Sequence, residues 1–268
     1  MINNHTKTIT QNLKPSYFRD LCRSNQFSNH TSGICKDYIQ TNLIILPQKY
    51  AKDFKIFCNL NYKPCPLVEE LQIGDPIPHL SACNSNITTD LPKYHIYKDG
   101  LLVDIPCNIE KYWNYNLVAF LIGCSNSFEN LIMNENIKLK HIEQDKCVPM
   151  YKTNIQTNRT EYFSGPLVVS MRCFKDYELD RVSSITERCN LFHGAPIHIG
   201  NPSDIGILNI TKPDWGEPIV LDNDDIPVFW ACGVTITNIL QQNKLEFAIS
   251  HAPGCMFITD LQVNHNLN

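Results

Sequence analysis

The fold is decided by residues 117–129, which read LVAFLIGCSNSFE. The run up to Ile122 is apolar on both faces. It breaks at Gly123-Cys124-Ser125, and Leu131, Ile132 and Ile137 then suggest a helix. A strand that is buried on both faces and leads into a helix is typical of a parallel sheet. The sequence therefore predicts an α/β fold.

The same pattern recurs nearer the C-terminus. An apolar strand is predicted within Pro227 to Gly233, and it leads into a helix from Thr235 to Gln242. A last strand, Phe247 to Ser250, is expected beside it.

A compact β-α-β unit is predicted between these two segments. Its strands are Leu167 to Arg172 and Pro196 to Ile199, and its helix is Tyr177 to Cys189. We therefore expect a mixed-sheet main domain that is discontinuous (residues 1–133 and 223–268) and an inserted smaller α+β domain (residues 134–222).

The N-terminal half contains two further recognisable elements. Apolar residues at three- and four-residue steps predict an amphipathic helix from Lys49 to Asn61. Lys93 to Asp104 is typical of a hairpin with its turn at Asp99-Gly100.

Composition excludes several classes of function. A net charge of −4 and the lack of a basic cluster argue against nucleic-acid binding. The longest apolar stretch, Leu117 to Cys124, is far short of the roughly 20 residues that cross a bilayer. Met1 to Pro15 is a polar tail without a secretory core, so we expect a cytoplasmic protein. The twelve cysteines lack paired spacing, so most are expected to be reduced thiols.

Nine blocks along the chain resemble the hydro-lyase family that includes D-glutamate cyclase. They occur in the family's order and cover nearly all of the chain after Tyr17. The blocks are 38–47 (YIQTNLIILP), 61–67 (NYKPCPL), 89–94 (TDLPKY), 117–129 (LVAFLIGCSNSFE), 148–155 (VPMYKTNI), 165–172 (GPLVVSMR), 193–200 (HGAPIHIG), 227–235 (PVFWACGVT) and 251–260 (HAPGCMFITD).

The resemblance implies conversion of D-glutamate to 5-oxo-D-proline with loss of water. The expected ligand is a small carboxylate or amino acid, and no cofactor or metal is expected; a homo-oligomer is left open. The chain has no nucleotide-binding glycine motif and no His-Glu-x-x-His. Cys255 stands where the family usually has His, and Lys152 where Arg is common. Two alternatives therefore stay open: another hydro-lyase or amidohydrolase on a small carboxylate, and a carboxylate-binding protein without catalysis.

The two strand-to-helix turns are the first candidate site. Backbone N–H groups near Ser125 and Gly233 are expected to bind carboxylates or a developing oxyanion, unless the turns only require small residues. Cys124 and Cys232 are candidate catalytic thiols, with an inert buried cysteine as the ordinary alternative.

Four further side chains are considered for proton transfer. His198 and His251 lie in segments that must end a strand, and imidazole titrates near neutral pH. His193 is a possible partner of either. Glu129 is expected in the first turn of a helix, either as a general acid or as an ordinary capping carboxylate.

Two groups of residues are candidates for substrate binding. Arg172 ends an apolar strand and is the first choice for a carboxylate clamp, because a buried cation needs a partner. Tyr151, Lys152, Thr153 and Asn154 form a polar cluster, which is otherwise a solvated loop or edge strand.

Overall fold

The computed structural model describes residues 13–267, so most of the tail predicted from Met1 to Pro15 lies outside the described residues. Six α-helices are present in this part of the chain: α1 (Pro15–Arg23), α2 (Gln48–Leu60), α3 (Asn126–Asn134), α4 (Lys140–Glu143), α5 (Leu179–Glu187) and α6 (Val234–Gln242). The strands are β1 (Tyr38–Pro47), β2 (Leu67–Glu70), β3 (Tyr94–Lys98), β4 (Leu101–Asp104), β5 (Leu117–Gly123), β6 (Met150–Gln156), β7 (Pro166–Phe174), β8 (His198–Ile199), β9 (Ile226–Ala231), β10 (Ala248–His251) and β11 (Phe257–Gln262).

These strands form two sheets. The first has the order β2-β5-β1-β10-β3-β4, and β11 also pairs with β1; the second has the order β6-β7-β9-β8. The α/β class is confirmed, but the predicted parallel pairing is wrong, because the strand pairs of both sheets are antiparallel. The strand expected beside Pro227 to Gly233 is also misplaced: β10 lies between β1 and β3, in the other sheet.

Burial on both sides explains why β5 has the sequence of a parallel strand. Phe120 and Ile122 point into one core with residues of α2, such as Phe54. Ala119 and Leu121 point into a second core that the connection between β2 and β5 closes. An apolar run thus reports coverage of both faces and carries no information about strand direction.

Each of the two helices that follow β5 and β9 packs against the sheet to which its preceding strand does not belong. α6 follows a strand of the second sheet, yet Ile236 and Ile239 pack in the core of the first sheet. α3 follows a strand of the first sheet, yet Phe128 and Ile132 pack with Trp230 of the second. This reciprocal packing joins the sheets and brings the two strand-to-helix turns together.

Other predicted elements are present. The hairpin of β3 and β4 turns at Asp99 and Gly100, whose φ angles of 51° and 77° suit such a turn. The β-α-β unit is split, because β9 lies between β7 and β8. β9 therefore pairs with strands of the predicted insert (134–222), although the predicted boundary assigns it to the main domain. The division into two domains stays a prediction.

Across the described residues, no helix combines the length and the apolar character that a membrane crossing requires.

Candidate active site at two equivalent turns

The turn after β5 is closed by two hydrogen bonds to one strand residue. The backbone N–H of Cys124 donates to the Gln40 carbonyl at 3.0 Å. Ser127 Oγ accepts the Gln40 N–H, also at 3.0 Å. Ser125, the residue before α3, has φ −61° and ψ −19°.

The turn after β9 has the same construction. The backbone N–H of Cys232 donates to the Val168 carbonyl at 3.0 Å, and Thr235 Oγ1 accepts the Val168 N–H at 3.0 Å. Gly233 precedes α6 with the same φ of −61° and ψ of −19°. The two units are an internal repeat of the form Cys-x-x-Ser/Thr, in which Cys124 and Cys232 are equivalent.

A single side chain separates the two turns. Asn42 Nδ2 donates to the carbonyls of Ile122 and Gly123, at 3.2 and 3.0 Å. A Cβ at Gly233 would lie 2.4 Å from the same nitrogen. Only glycine fits at position 233, and the two helix N-termini are close neighbours.

Arg172 lies in this junction as a buried cation with protein partners. Its guanidinium donates twice to Glu129 Oε1, once at 3.0 Å, and also to Ser170 Oγ at 3.0 Å and Ser125 Oγ at 3.3 Å. It also lies over the ring of Phe128, at 4.9 Å. Since these four bonds use most of its five N–H groups, Arg172 orients Ser125 and Glu129.

Glu129 is held in its ionised form. Burial by itself raises the pKa of this carboxyl. The charges of Arg172 and His141 together lower the pKa by more than burial raises it, and the pKa is about 2. His141 Nε2 lies 3.2 Å from Glu129 Oε1, and its Nδ1 is buried without a partner. A carboxylate in this state accepts hydrogen bonds and is not suited to the predicted role of a general acid at neutral pH.

Both thiols are neutral at physiological pH. Burial raises the pKa of Cys124 to about 12, against the effect of the Asn126 N–H. Burial raises the pKa of Cys232 to about 11, against the effects of the Val234 N–H and Arg172. Each thiol also lies beside the first turn of a helix. A negative charge on the sulfur would be stabilised there if solvent were excluded and a cation were bound.

His193 is the side chain of this site that sequence reasoning undervalued. The loop that carries it packs on β5 so closely that a Cβ at Gly123 would lie 1.6 Å from the Leu191 carbonyl. His193 Nδ1 lies 2.7 Å from the Lys63 carbonyl, and Nε2 is buried without a partner. Burial lowers the pKa of His193 to about 4, and the charge of Arg172 contributes.

The predicted polar cluster lies on β6, an edge strand, and is engaged elsewhere. Tyr151 donates to the Ile210 carbonyl at 2.6 Å, and Thr153 donates to the Leu167 carbonyl at 2.8 Å. The other two residues of the cluster contact surface groups: Lys152 Nζ lies over the ring of Trp215, and Asn154 lies against Gly206. None of the bonds found among residues 13–267 joins these four side chains to Arg172.

His198 and His251 lie on different sheets. His198 is on β8, and its Nε2 is 2.8 Å from the Asn201 carbonyl. His251 is buried on β10, where its Nδ1 is 3.2 Å from the Leu43 N–H. Burial lowers the pKa of His251 to about 4. Their catalytic roles stay predictions, and the structure pairs neither with His193.

Cys255, where the resemblance led us to expect His, lies between β10 and β11, next to residues that hydrogen-bond Thr31. Its Sγ lies 3.6 Å from the Asn29 carbonyl, and the preceding Gly254 contacts His30. None of the hydrogen bonds described above for the two turns involves Cys255.

Two other features of the described residues are weaker candidates for a functional site than this junction. Asp222, Asp224 and Asp225 are close enough to share a cation, but Lys140 and Lys175 already form ion pairs with them. An open groove of about 780 Å³ is lined by titratable side chains that are all exposed: Arg23, His79, Cys83 and Glu110. The buried junction has the perturbed groups that active sites need.

Some of the missed residues had a signal in the sequence. Gln40, Thr41 and Asn42 are polar residues within an otherwise apolar segment, which marks a buried polar function. His193 was predicted only as a partner of another histidine, although the glycine after it indicates a turn, and it adopts φ 86° there. His141 had no distinguishing pattern.

Comparison with known proteins supports the resemblance seen in the sequence. A family model described as D-glutamate cyclase matches residues 118–260. Three relatives bear the name "Putative hydro-lyase". The one from Bacillus pumilus is 46% identical over 94% of this chain and 96% of its own. The one from Bradyrhizobium diazoefficiens is 47% identical over 87% and 86%, and that from Thermoanaerobacter sp. 44% over 94% and 95%.

A solved structure, a nitrogen repressor-like protein from Methanococcus jannaschii, covers 88% of this chain and 91% of its own with 9% identity. Its TM-score of 0.37 is too low to carry an argument.

Proposed function

Because this chain belongs to the D-glutamate cyclase family, we propose that it closes D-glutamate into 5-oxo-D-proline with loss of water. The α-amine nitrogen attacks the γ-carboxyl carbon, and one carboxyl oxygen leaves. The nitrogen loses two protons and the departing oxygen gains two. The reaction therefore needs a proton shuttle and a site for negative charge, and it involves no change of oxidation state.

The observation that carries this proposal is the unpartnered Nε2 of His193. The Lys63 carbonyl can only accept a hydrogen bond, so the proton of the neutral ring lies on Nδ1. Nε2 then carries a lone pair, and it is buried beside the Gly123 turn. A neutral imidazole in this position has a lone pair that can take a proton from the substrate ammonium and pass it to the departing oxygen.

The negative charges of the substrate are assigned to the helix N-termini. The first-turn N–H groups of α3 and α6, at Asn126 and Val234, interact with the thiols of Cys124 and Cys232. Such groups stabilise a carboxylate and the oxyanion of a tetrahedral intermediate. Arg172 acts on the substrate through Ser125, whose hydroxyl it orients.

The test is purified protein with D-glutamate or L-glutamate, with 5-oxoproline measured by chiral chromatography. We expect product from D-glutamate, and a loss of about 100-fold or more in kcat/KM for His193→Gln, the usual range for a general base. His79→Gln is the matched control, because His79 is exposed and pairs with Asp75. Absence of product from D-glutamate in the unaltered protein overturns the proposal.

A further inference from the structure

The internal repeat places two equivalent thiols at one junction. Cys124 and Cys232 each follow a buried strand, and a single residue lies between each cysteine and the nine-residue helix that follows. Each is 8% exposed. The cyclisation needs a proton shuttle and an anion site, and neither requirement explains why a cysteine occurs at the same position of both units.

The thiols lie on opposite members of a reciprocal pair. α3 crosses from the first sheet to the second and α6 crosses from the second to the first, as an approximate two-fold relation requires. The amide of Asn42 alone separates Gly123 from Gly233, the residues next to the two cysteines. The two thiols are also close enough to interact electrostatically, because a negative charge at Cys232 raises the pKa of Cys124.

We propose that Cys124 and Cys232 form an opposed acid–base pair that exchanges the α-proton of an amino dicarboxylate and so inverts its configuration. This inference rests on the proposed site for an acidic amino acid, and it adds a second reaction to it. The site would convert L-glutamate to D-glutamate, the enantiomer that the proposed cyclisation consumes.

The chemistry balances without a co-reactant. One thiol first gives its proton to Nε2 of His193, which is buried without a partner. The resulting thiolate takes the α-proton, and the electron pair of the broken C–H bond moves into the α-carboxyl group to give an enediolate. The thiol of the other cysteine donates its proton to the opposite face of the α-carbon. One C–H bond breaks and one forms, and the negative charge ends on the second sulfur.

The surroundings favour these steps once an amino acid is bound. The substrate ammonium brings a positive charge into a buried space, and a nearby positive charge favours the thiolate form. The N–H groups at the starts of α3 and α6 stabilise a thiolate and the developing enediolate. In addition to the two thiols, this site contains His193, whose Nε2 is buried and has no hydrogen-bond partner.

The experiment follows the α-proton of D-glutamate and L-glutamate in D₂O by proton NMR, with chiral chromatography of the same samples. We expect deuterium at the α-carbon of both enantiomers, and inversion. Cys124→Ser and Cys232→Ser should each lower inversion by about 100-fold or more. Each variant should still exchange the α-proton of one enantiomer of glutamate for deuterium. The enantiomer that is exchanged should differ between the two variants. Cys83→Ser, at an exposed and distant thiol, should behave as the unaltered protein.

The outcomes separate this inference from the proposed function. Formation of 5-oxoproline without α-deuterium in the unaltered protein overturns the inference and leaves the cyclisation in place. Exchange without 5-oxoproline supports the inference and overturns the cyclisation. The result with unaltered protein decides the matter even if a cysteine variant fails to fold, and exchange by both variants at the original rate also overturns the inference.

Discussion

Asn42 occupies the space that any side chain at Gly233 would need. Its Nδ2 donates to the Gly123 carbonyl and would lie 2.4 Å from a Cβ at position 233. The residue before Cys124 and the residue after Cys232 are therefore fixed by one amide. The spacing of the two thiols depends on this contact.

Gly233→Ala is expected to destabilise the protein by about 1–3 kcal/mol, the usual cost of overpacking a filled interior. Urea unfolding measures this change. Asn42→Ala removes the atom that the new methyl group would meet, so the cost of Gly233→Ala should be smaller in that background. Equal costs in the two backgrounds would show that the contact with Asn42 is not the cause.

The pair of Glu129 and Arg172 predicts a pH dependence of stability. The pKa of Glu129 is about 2 in the folded protein, below its ordinary value of 4.5. The stabilisation is therefore present above pH 4.5 and is lost as the pH falls from 4.5 to 2. Glu129→Gln should remove this component and cost about 3–5 kcal/mol at pH 7, because it leaves Arg172 buried without a counter-charge.

Unfolding by urea at pH 7 and pH 3 tests both parts of this prediction. The matched control is Glu135→Gln, since Glu135 pairs with Arg181 at the surface. An exposed pair contributes about 1 kcal/mol or less. Similar losses for the two variants at pH 7 would contradict a special role for the buried pair.

His193 should remain neutral well below the pH at which histidine ordinarily titrates. Burial lowers its pKa to about 4 from 6.5. As the pH falls from 6.5 to 4, the unfolded chain takes up a proton that the folded chain does not, so this group reduces stability in that window. Nitrogen NMR of labelled histidine, assigned by difference from His193→Gln, should show a ring with its proton on Nδ1 from pH 8 to pH 5. Titration near pH 6.5 would contradict the buried geometry.

Local pattern sufficed for β5, β9 and the helices after them, because each apolar run and each helical spacing lies within about 15 residues. It failed for strand direction, because burial of a strand such as β5 on both faces is common to covered sheets of either kind. β1 was recognised only as a family block, since Gln40 and Asn42 interrupt its apolar pattern. Those polar residues are the framework of the two turns.

The site was predictable where its residues adjoin the turns. Cys124, Ser125, Glu129, Cys232 and Gly233 all lie directly after a strand or in the first turn of the helix that follows it. The contact of His193 with Lys63 spans 130 residues, and no local pattern reports it. The cluster on β6 was misleading because an edge strand carries polar side chains for reasons of solvation.

The raised pKa values of the two thiols predict slow alkylation. At pH 7.5 very little thiolate is present at Cys124 or Cys232, whose pKa values are about 12 and 11, and both side chains are buried. Since the thiolate is the nucleophile, iodoacetamide should modify exposed Cys83 about 100-fold faster or more, as peptide mass spectrometry can measure. If Cys232 reacted as fast as Cys83, the junction would have to be open and its thiol ionised without substrate. A bound amino acid would then not be needed to generate the thiolate.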